Sequence, residues 1–286
     1  MRNRAPFMNW WQSIIIGIVE GLTEYLPVSS TGHILLAQRM LGLEDNEASK
    51  AFAIVVQAGA ILAVLGIYFT KARGMAEGLL GRNPAGLVLL RNLLLAFLPA
   101  AFAGLFLEKR IDALLTGLWP TVASWFVGGV AILAVAWFKR NASPGKVRNG
   151  LGMDRITPSM ALTIGLLQCV AMWPGTSRSL MTIVGGLLCG LHMIAAVEFS
   201  FLLGMVTLTA AAGYKFLKNW KILFEEYSVM AMMLGCFAAW LSAFLAVKWM
   251  VSFLQKRGLE PFGYYRIALA VVVAVLILRG VILPQT

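Results

Sequence analysis

Six stretches of this sequence, at 51–69, 87–107, 119–138, 195–213, 227–251 and 262–283, are apolar over about the length a helix needs to cross a hydrocarbon core. A chain with that pattern must satisfy its backbone N–H and C=O groups internally wherever it meets lipid. The expected fold class is therefore an all-α polytopic membrane protein. Composition agrees: 59% of the chain is hydrophobic and 13% is charged, about half the charged share of a soluble domain. The net charge of +11 fits loops that meet anionic lipid headgroups, so membrane lipids are expected partners and nucleic acid is not. Cys169, Cys189 and Cys236 lie in apolar stretches without C-x-x-C spacing and read as inert thiols. Arg2 and Arg4 precede the first apolar run, but no small-residue site closes it, so no cleavable signal peptide is expected.

Two further apolar regions are too short to span, and each is broken by proline. Residues 10–26 and 30–42 flank Pro27; residues 159–173 and 178–193 flank Pro174-Gly175. Proline and the residue before it disfavour continuous helix. Both regions, 10–42 and 159–193, read as re-entrant hairpins of two half-helices. They also resemble one another. Gly17-Ile18-Val19-Glu20 and Pro27-Val28-Ser29-Ser30 align with Gly165-Leu166-Leu167-Gln168 and Pro174-Gly175-Thr176-Ser177, at an offset of 148 that falls to 147 after the proline. Three spans follow each hairpin. The expectation is one integrated membrane domain built from two repeats, 1–140 and 159–286, joined by a polar connection at 141–158. An odd number of spans inverts the second repeat, which puts a site where the two hairpins meet near the midplane. A slight Lys/Arg excess in loops 71–91, 139–155 and 256–266 places that side in the cytoplasm. The first hairpin then enters from outside.

The chemistry is concentrated at the breaks. Glu20 and Glu24, four residues apart, share a helix face and repel. Burying both requires a proton on one or a cation between them, and a hard divalent ion shared with phosphate oxygens suits them. Ser29, Ser30 and Thr31 follow Pro27 and open a half-helix, whose N-terminus attracts anions. His33 lies in that first turn. The second break is followed by Ser177, Arg178, Ser179 and Thr182, and Arg178 offers a fork suited to phosphate. Glu198 has two open roles, pairing with Arg178 or packing at a helix end. Carboxylates, hydroxyls and an imidazole on one hairpin, facing an arginine and hydroxyls on the other, form a site for a phosphate or pyrophosphate. The apolar surroundings suit a lipid tail. No Walker-type loop is present, so ATP is not implied. A transporter of an anionic lipid, without bond cleavage, is the alternative.

The motifs Glu20-Gly-Leu-Thr-Glu24-Tyr-Leu-Pro-Val-Ser-Ser-Thr-Gly-His33 and Pro174-Gly-Thr-Ser-Arg-Ser-Leu-Met-Thr182 resemble those of the undecaprenyl pyrophosphate phosphatases, the bacitracin-resistance membrane phosphatases. The likeness runs along essentially the whole chain. It implies removal of one phosphate from a C55 isoprenyl pyrophosphate carrier on the outer side of the bacterial plasma membrane, and interlocked inverted repeats. It also implies Mg²⁺ or Ca²⁺ as cofactor. By motif it carries over Glu20, Glu24, Ser30, His33 and Arg178 as catalytic residues, and Ser29, Thr31, Ser177, Arg178, Ser179 and Thr182 as substrate-binding ones. Glu20 and Glu24 are the expected metal ligands. The nucleophile stays open among Ser30, His33 and water, and homo-oligomerisation stays open as well.

Overall fold

The structure, a computed structural model, describes residues 8–43, 46–115, 117–142 and 150–283. In chain order the first half contains α1 (Trp10–Thr23), α2 (Ser30–Met40), α3 (Glu47–Ile67), α4 (Phe69–Leu79), α5 (Pro84–Leu115) and α6 (Leu118–Ala142). The second contains α7 (Pro158–Val170), α8 (Arg178–Leu188), α9 (Met193–Glu226), α10 (Val229–Arg257) and α11 (Glu260–Leu278). No strand forms among the described residues; one isolated bridge joins Leu151 to Leu191. Helices α3, α5, α6, α9, α10 and α11 are each long and apolar enough to cross a membrane. The chain is an all-α multi-pass membrane protein, with six such helices among the described residues.

The two proline breaks separate short helix pairs, α1/α2 and α7/α8, whose members pack on each other. Each pair begins with a helix docked on the opposite half: α1 on α10, and α7 on α5. Helices α3 and α9 pack together at the centre, and α6 packs on α11. Small residues let these helices approach closely. Gly17 faces the backbone carbonyl of Gly235, and Gly165 faces that of Ala96; a Cβ at either glycine would collide with main chain. The largest buried cluster includes Tyr25, Phe199, Phe201, Leu202, Val247 and Met250, which puts the core beside the first break.

The half-helices after the breaks, α2 and α8, are each 11 residues long and begin 148 residues apart. The N-cap residues Ser29 (φ 74°) and Ser177 (φ 77°) share a left-handed backbone, rare for a residue with a Cβ. The geometry therefore matches Ser29 to Ser177, where the sequence register after the proline matches Ser30 to Ser177. The break absorbs the extra residue: one residue lies between Pro27 and its N-cap, two between Pro174 and its own.

Three boundaries differ from the expectation. Residues 71–79, the first part of the expected 71–91 loop, belong to α4. Its Gly74 and Gly78 face allows contact with Gly86 and Leu87 of α5, and Arg73 pairs with Glu77 one turn on at 2.7 Å. Helix α5 continues through the expected loop to Leu115, and α9 runs past residue 213 to Glu226. Charged residues at a span's end do not stop a helix that meets neither proline nor a cap. Of the polar connection, residues 143–149 lie outside the described residues; a short 3-10 turn, Met153–Arg155, precedes α7.

The close approach of α1 to α10 yields a stability prediction. Gly17→Leu, which drives a side chain into the Gly235 carbonyl, should lower the thermal midpoint in detergent or abolish monodispersity, an overpacking penalty of about 1–3 kcal/mol or more. Gly66→Leu, where the Cβ meets open space, should leave the midpoint within a few degrees. Equal effects would mean that α1 does not dock there.

Candidate active site at the two helix breaks

A broken helix leaves carbonyls without intrahelical partners, and at membrane depth each must find a donor. At the first break, Leu26 O accepts from Ser179 Oγ (2.8 Å) and Ser177 Oγ (3.5 Å), Pro27 O from Arg266 Nη1 (3.3 Å), and Val28 O from Trp125 Nε1 (3.1 Å). At the second, Pro174 O accepts from Ser124 Oγ (2.7 Å), Gly175 O from Arg266 Nη2 (2.9 Å), and Thr176 O from Arg266 Nη1 (3.2 Å). Each break thus presents three consecutive carbonyls, all satisfied by side chains. Gly175, at φ 88°, also brings main chain so close to Thr121 and Ser124 that a Cβ would not fit.

This junction sets the two half-helix starts side by side and brings Glu24 to Arg178. Arg178 Nη2 donates to Glu24 Oε1 at 3.1 Å, with the two side chains 12% and 7% exposed. An arginine at the first position of a helix opposes the helix dipole, and Glu24 compensates it. Arg178 Nη1 also donates to Ser200 O at 3.3 Å, and its guanidinium lies 5.8 Å from the Tyr25 ring centroid, within cation–π range. Gly204 of α9 gives it room, since a Cβ there would overlap the guanidinium. Arg178 Nε and Tyr25 OH are buried with no hydrogen-bond partner among the described residues. Two buried donors in one cluster leave capacity for an incoming acceptor.

Ser30 Oγ donates to the other Glu24 oxygen, Oε2. One carboxylate therefore bridges a hydroxyl and a guanidinium from different hairpins. Glu20, one turn earlier on α1, is 2% exposed, and its carboxylate makes no hydrogen bond among the described residues. His33 is turned away from Ser30. Its Nδ1 lies 2.7 Å from Ser29 O, and its Nε2 lies 2.8 Å from Tyr265 OH. A carbonyl only accepts, so Nδ1 donates and Nε2 accepts from the tyrosine. The ring stacks on Tyr265 and meets Trp125 edge-on.

The other residues expected at the site divide into two groups. Ser177, Ser179 and Thr182 are buried and serve the junction: Ser177 caps α8 through Leu180 N, and Thr182 Oγ1 bonds Arg178 O and Ser200 Oγ. Ser29 contributes its carbonyl to His33, while Thr31 is exposed and makes no hydrogen bond among the described residues. Glu198 faces Lys71 at 3.9 Å rather than Arg178, and His192 caps α9 through Ala195 N. Sequence reasoning missed Trp125, Ser200, Gly204, Tyr265 and Arg266, all brought in from α6, α9 and α11. Only Arg266 carried a signal, as a cation in the expected span 262–283.

The fold and the site define a polytopic helical membrane protein with a buried, arginine-containing polar site where two broken hairpins meet. Residues 13–272 match the family described as Bacitracin resistance protein BacA, and the chain belongs to that family. It is 41% identical over 267 residues to an undecaprenyl-diphosphatase of Sorangium cellulosum, covering 93% of this chain and 86% of the relative. It is 42% identical over 262 residues to undecaprenyl-diphosphatase 2 of Rhodospirillum rubrum, covering 92% and 93%. A third relative, an undecaprenyl-diphosphatase of Sphingopyxis alaskensis, is 43% identical over 255 residues, covering 89% and 92%.

The junction predicts its own sensitivity. Trp125→Phe keeps an aromatic side chain but removes the indole N–H that donates to Val28 O, which leaves a buried carbonyl unsatisfied. It also shrinks a fully buried ring, which adds a cavity. The expected loss is about 1–3 kcal/mol, read as a lower thermal midpoint with unchanged helix content. Trp10→Phe, at an exposed ring outside the junction, is the control. A midpoint unmoved by Trp125→Phe would show that the break does not need this bond.

Proposed function

We propose that this chain hydrolyses undecaprenyl pyrophosphate to undecaprenyl phosphate and inorganic phosphate, recycling a lipid carrier for cell-wall polysaccharide synthesis. Membership of the BacA family and relatives named undecaprenyl-diphosphatase support the reaction. The observation that carries it in this chain is the triple contact of Ser30, Glu24 and Arg178. It joins a hydroxyl, a carboxylate and a phosphate-binding cation in a site shielded from bulk water.

In this reading Arg178 and the first-turn N–H groups of α2 and α8 hold the pyrophosphate oxygens. Ser30 Oγ attacks the terminal phosphorus while Glu24 takes its proton. The bridging P–O bond breaks, and the lipid monophosphate leaves with the electron pair. Water then cleaves the phosphoserine, returning the serine hydroxyl and releasing phosphate. The hydrogen bond to Glu24 supports Ser30 as nucleophile. Both nitrogens of His33 are engaged elsewhere, which gives it the role of fixing the α2 start.

Glu20 and Glu24 are hard oxygen donors one turn apart, a set that fits Mg²⁺ or Ca²⁺. Among the described residues no three acidic, histidine or cysteine side chains come together, so substrate and water oxygens would complete the shell. Such an ion would neutralise charge on the pyrophosphate. Chelation should therefore abolish phosphate release, and added Mg²⁺ or Ca²⁺ should restore it; full activity in chelator would remove the metal role from Glu20 and Glu24. We place the protein in the bacterial inner membrane as two inverted repeats, with the site open to the outer side. The matched left-handed N-caps and the reciprocal docking of α1 and α7 support the two-repeat reading.

Phosphate release from a polyprenyl pyrophosphate in detergent tests the function directly. A protein that only moves the lipid would release none. Arg178→Lys keeps charge but loses the fork. Losing a charged hydrogen bond in a dry site should cost roughly 2–4 kcal/mol of transition-state binding, about 30- to 1,000-fold in kcat/KM. Arg178→Ala should be near inactive, with the protein still monodisperse. Retention of more than about a third of parent activity would make the arginine an anchor rather than a phosphate ligand.

A further inference from the structure

Arg266 has no place in the chemistry above, yet it is fully buried, and all five of its N–H donors are used on main-chain carbonyls. Nε donates to Trp125 O (3.4 Å), Nη1 to Pro27 O (3.3 Å) and Thr176 O (3.2 Å), and Nη2 to Ser124 O (2.9 Å) and Gly175 O (2.9 Å). One nitrogen, Nη1, therefore spans the first break and the second. Helix α6 makes room for the fork at Gly128, where a Cβ would come within 2.9 Å of the guanidinium carbon. Arg266 forms no salt bridge among the described residues, so carbonyl dipoles alone solvate its charge. The preceding residue, Tyr265, donates to His33 in the first turn of α2.

We propose that Arg266 is a positioning residue for phosphoryl transfer, one that sets the distance between the two half-helix starts. The inference rests on the phosphatase reading. In that reading the pyrophosphate is gripped by Arg178, after the second break, while the attacking Ser30 and its base Glu24 belong to the first hairpin. A fork that fixes the two breaks relative to each other fixes the line of attack. Its loss leaves the grip on phosphate in place and misaligns the nucleophile, so turnover suffers and ground-state binding does not. A lysine cannot replace it, because three N–H groups from a single nitrogen cannot reach five carbonyls on three segments.

The test measures kcat and KM separately for phosphate release from a polyprenyl pyrophosphate, using the monodisperse fraction of full-length protein well below its thermal midpoint. Two variants perturb the fork differently. Arg266→Lys removes it, and Gly128→Ala pushes it aside with its charge intact. Both should lower kcat about 10- to 100-fold with KM within about threefold of the parent. Should Arg266→Lys fail to fold, Gly128→Ala decides. A kcat within about threefold of the parent for the monodisperse fraction would reduce Arg266 to a structural staple and overturn the proposal. A raised KM at unchanged kcat would overturn it too, by making the residue part of the binding surface. If neither variant yields monodisperse protein, Arg266 is a folding element and the proposal fails. A parent protein that releases no phosphate would instead defeat the phosphatase reading.

Discussion

Broken backbone inside a membrane protein must find hydrogen-bond partners in the protein itself, and this structure turns on how it does so. Six carbonyls, at Leu26, Pro27, Val28, Pro174, Gly175 and Thr176, are met by Ser177, Ser179, Trp125, Ser124 and Arg266. None of these donors belongs to the hairpin whose carbonyl it satisfies. The breaks are therefore coupled: the first takes donors from Ser177, Ser179 and Arg266 of the second half, and the second takes one from Ser124 of the first. That mutual dependence explains the crossed docking of α1 on α10 and α7 on α5. It also explains why glycines recur where these helices meet.

Charge follows from the same geometry. Two guanidiniums lie at the junction, and they are treated differently. Arg266 is solvated by carbonyls on all sides, whereas Arg178 has a carboxylate partner, one carbonyl and an unsatisfied Nε. A buried pair that is incompletely bonded is weak evidence for stability. It fits a site that exchanges partners with a ligand. Glu24 holds both Ser30 and Arg178; in the proposed reaction a phosphate would compete with Glu24 for the fork while the Ser30–Glu24 bond stays available for proton transfer.

Much of this was legible in the sequence, for identifiable reasons. Spans are legible because lipid demands about twenty apolar residues, and the breaks because proline interrupts shorter ones. Glu20, Glu24 and Arg178 stood out because ionisable groups are costly among apolar neighbours, Ser30 because it opens a half-helix after Pro27, and the structure places both Ser30 and Arg178 on Glu24. What stayed hidden depends on long-range placement. Trp125 and Ser124 look like ordinary residues of a span, and Gly204 and Gly128 like ordinary small ones, until α6, α9 and α11 pack. The hydroxyls of Ser177, Ser179 and Thr182 read as phosphate donors because they follow a break, but their partners are protein carbonyls and hydroxyls. Helix α4 was hidden because its polar composition is that of a loop, and its packing on α5 is a long-range contact.

The central claim is that two breaks, held by one set of side-chain donors, make a single anion site. Hydrogen–deuterium exchange with and without methylenediphosphonate, a non-hydrolysable pyrophosphate analogue, tests it most directly. Within the first turns, the N–H groups of Ser30, Thr31 and Gly32 on α2, and of Arg178 and Ser179 on α8, have no intrahelical acceptor. The analogue should slow exchange in peptides covering both starts, over the same concentration range. Protection at one start alone, or at neither, would contradict it.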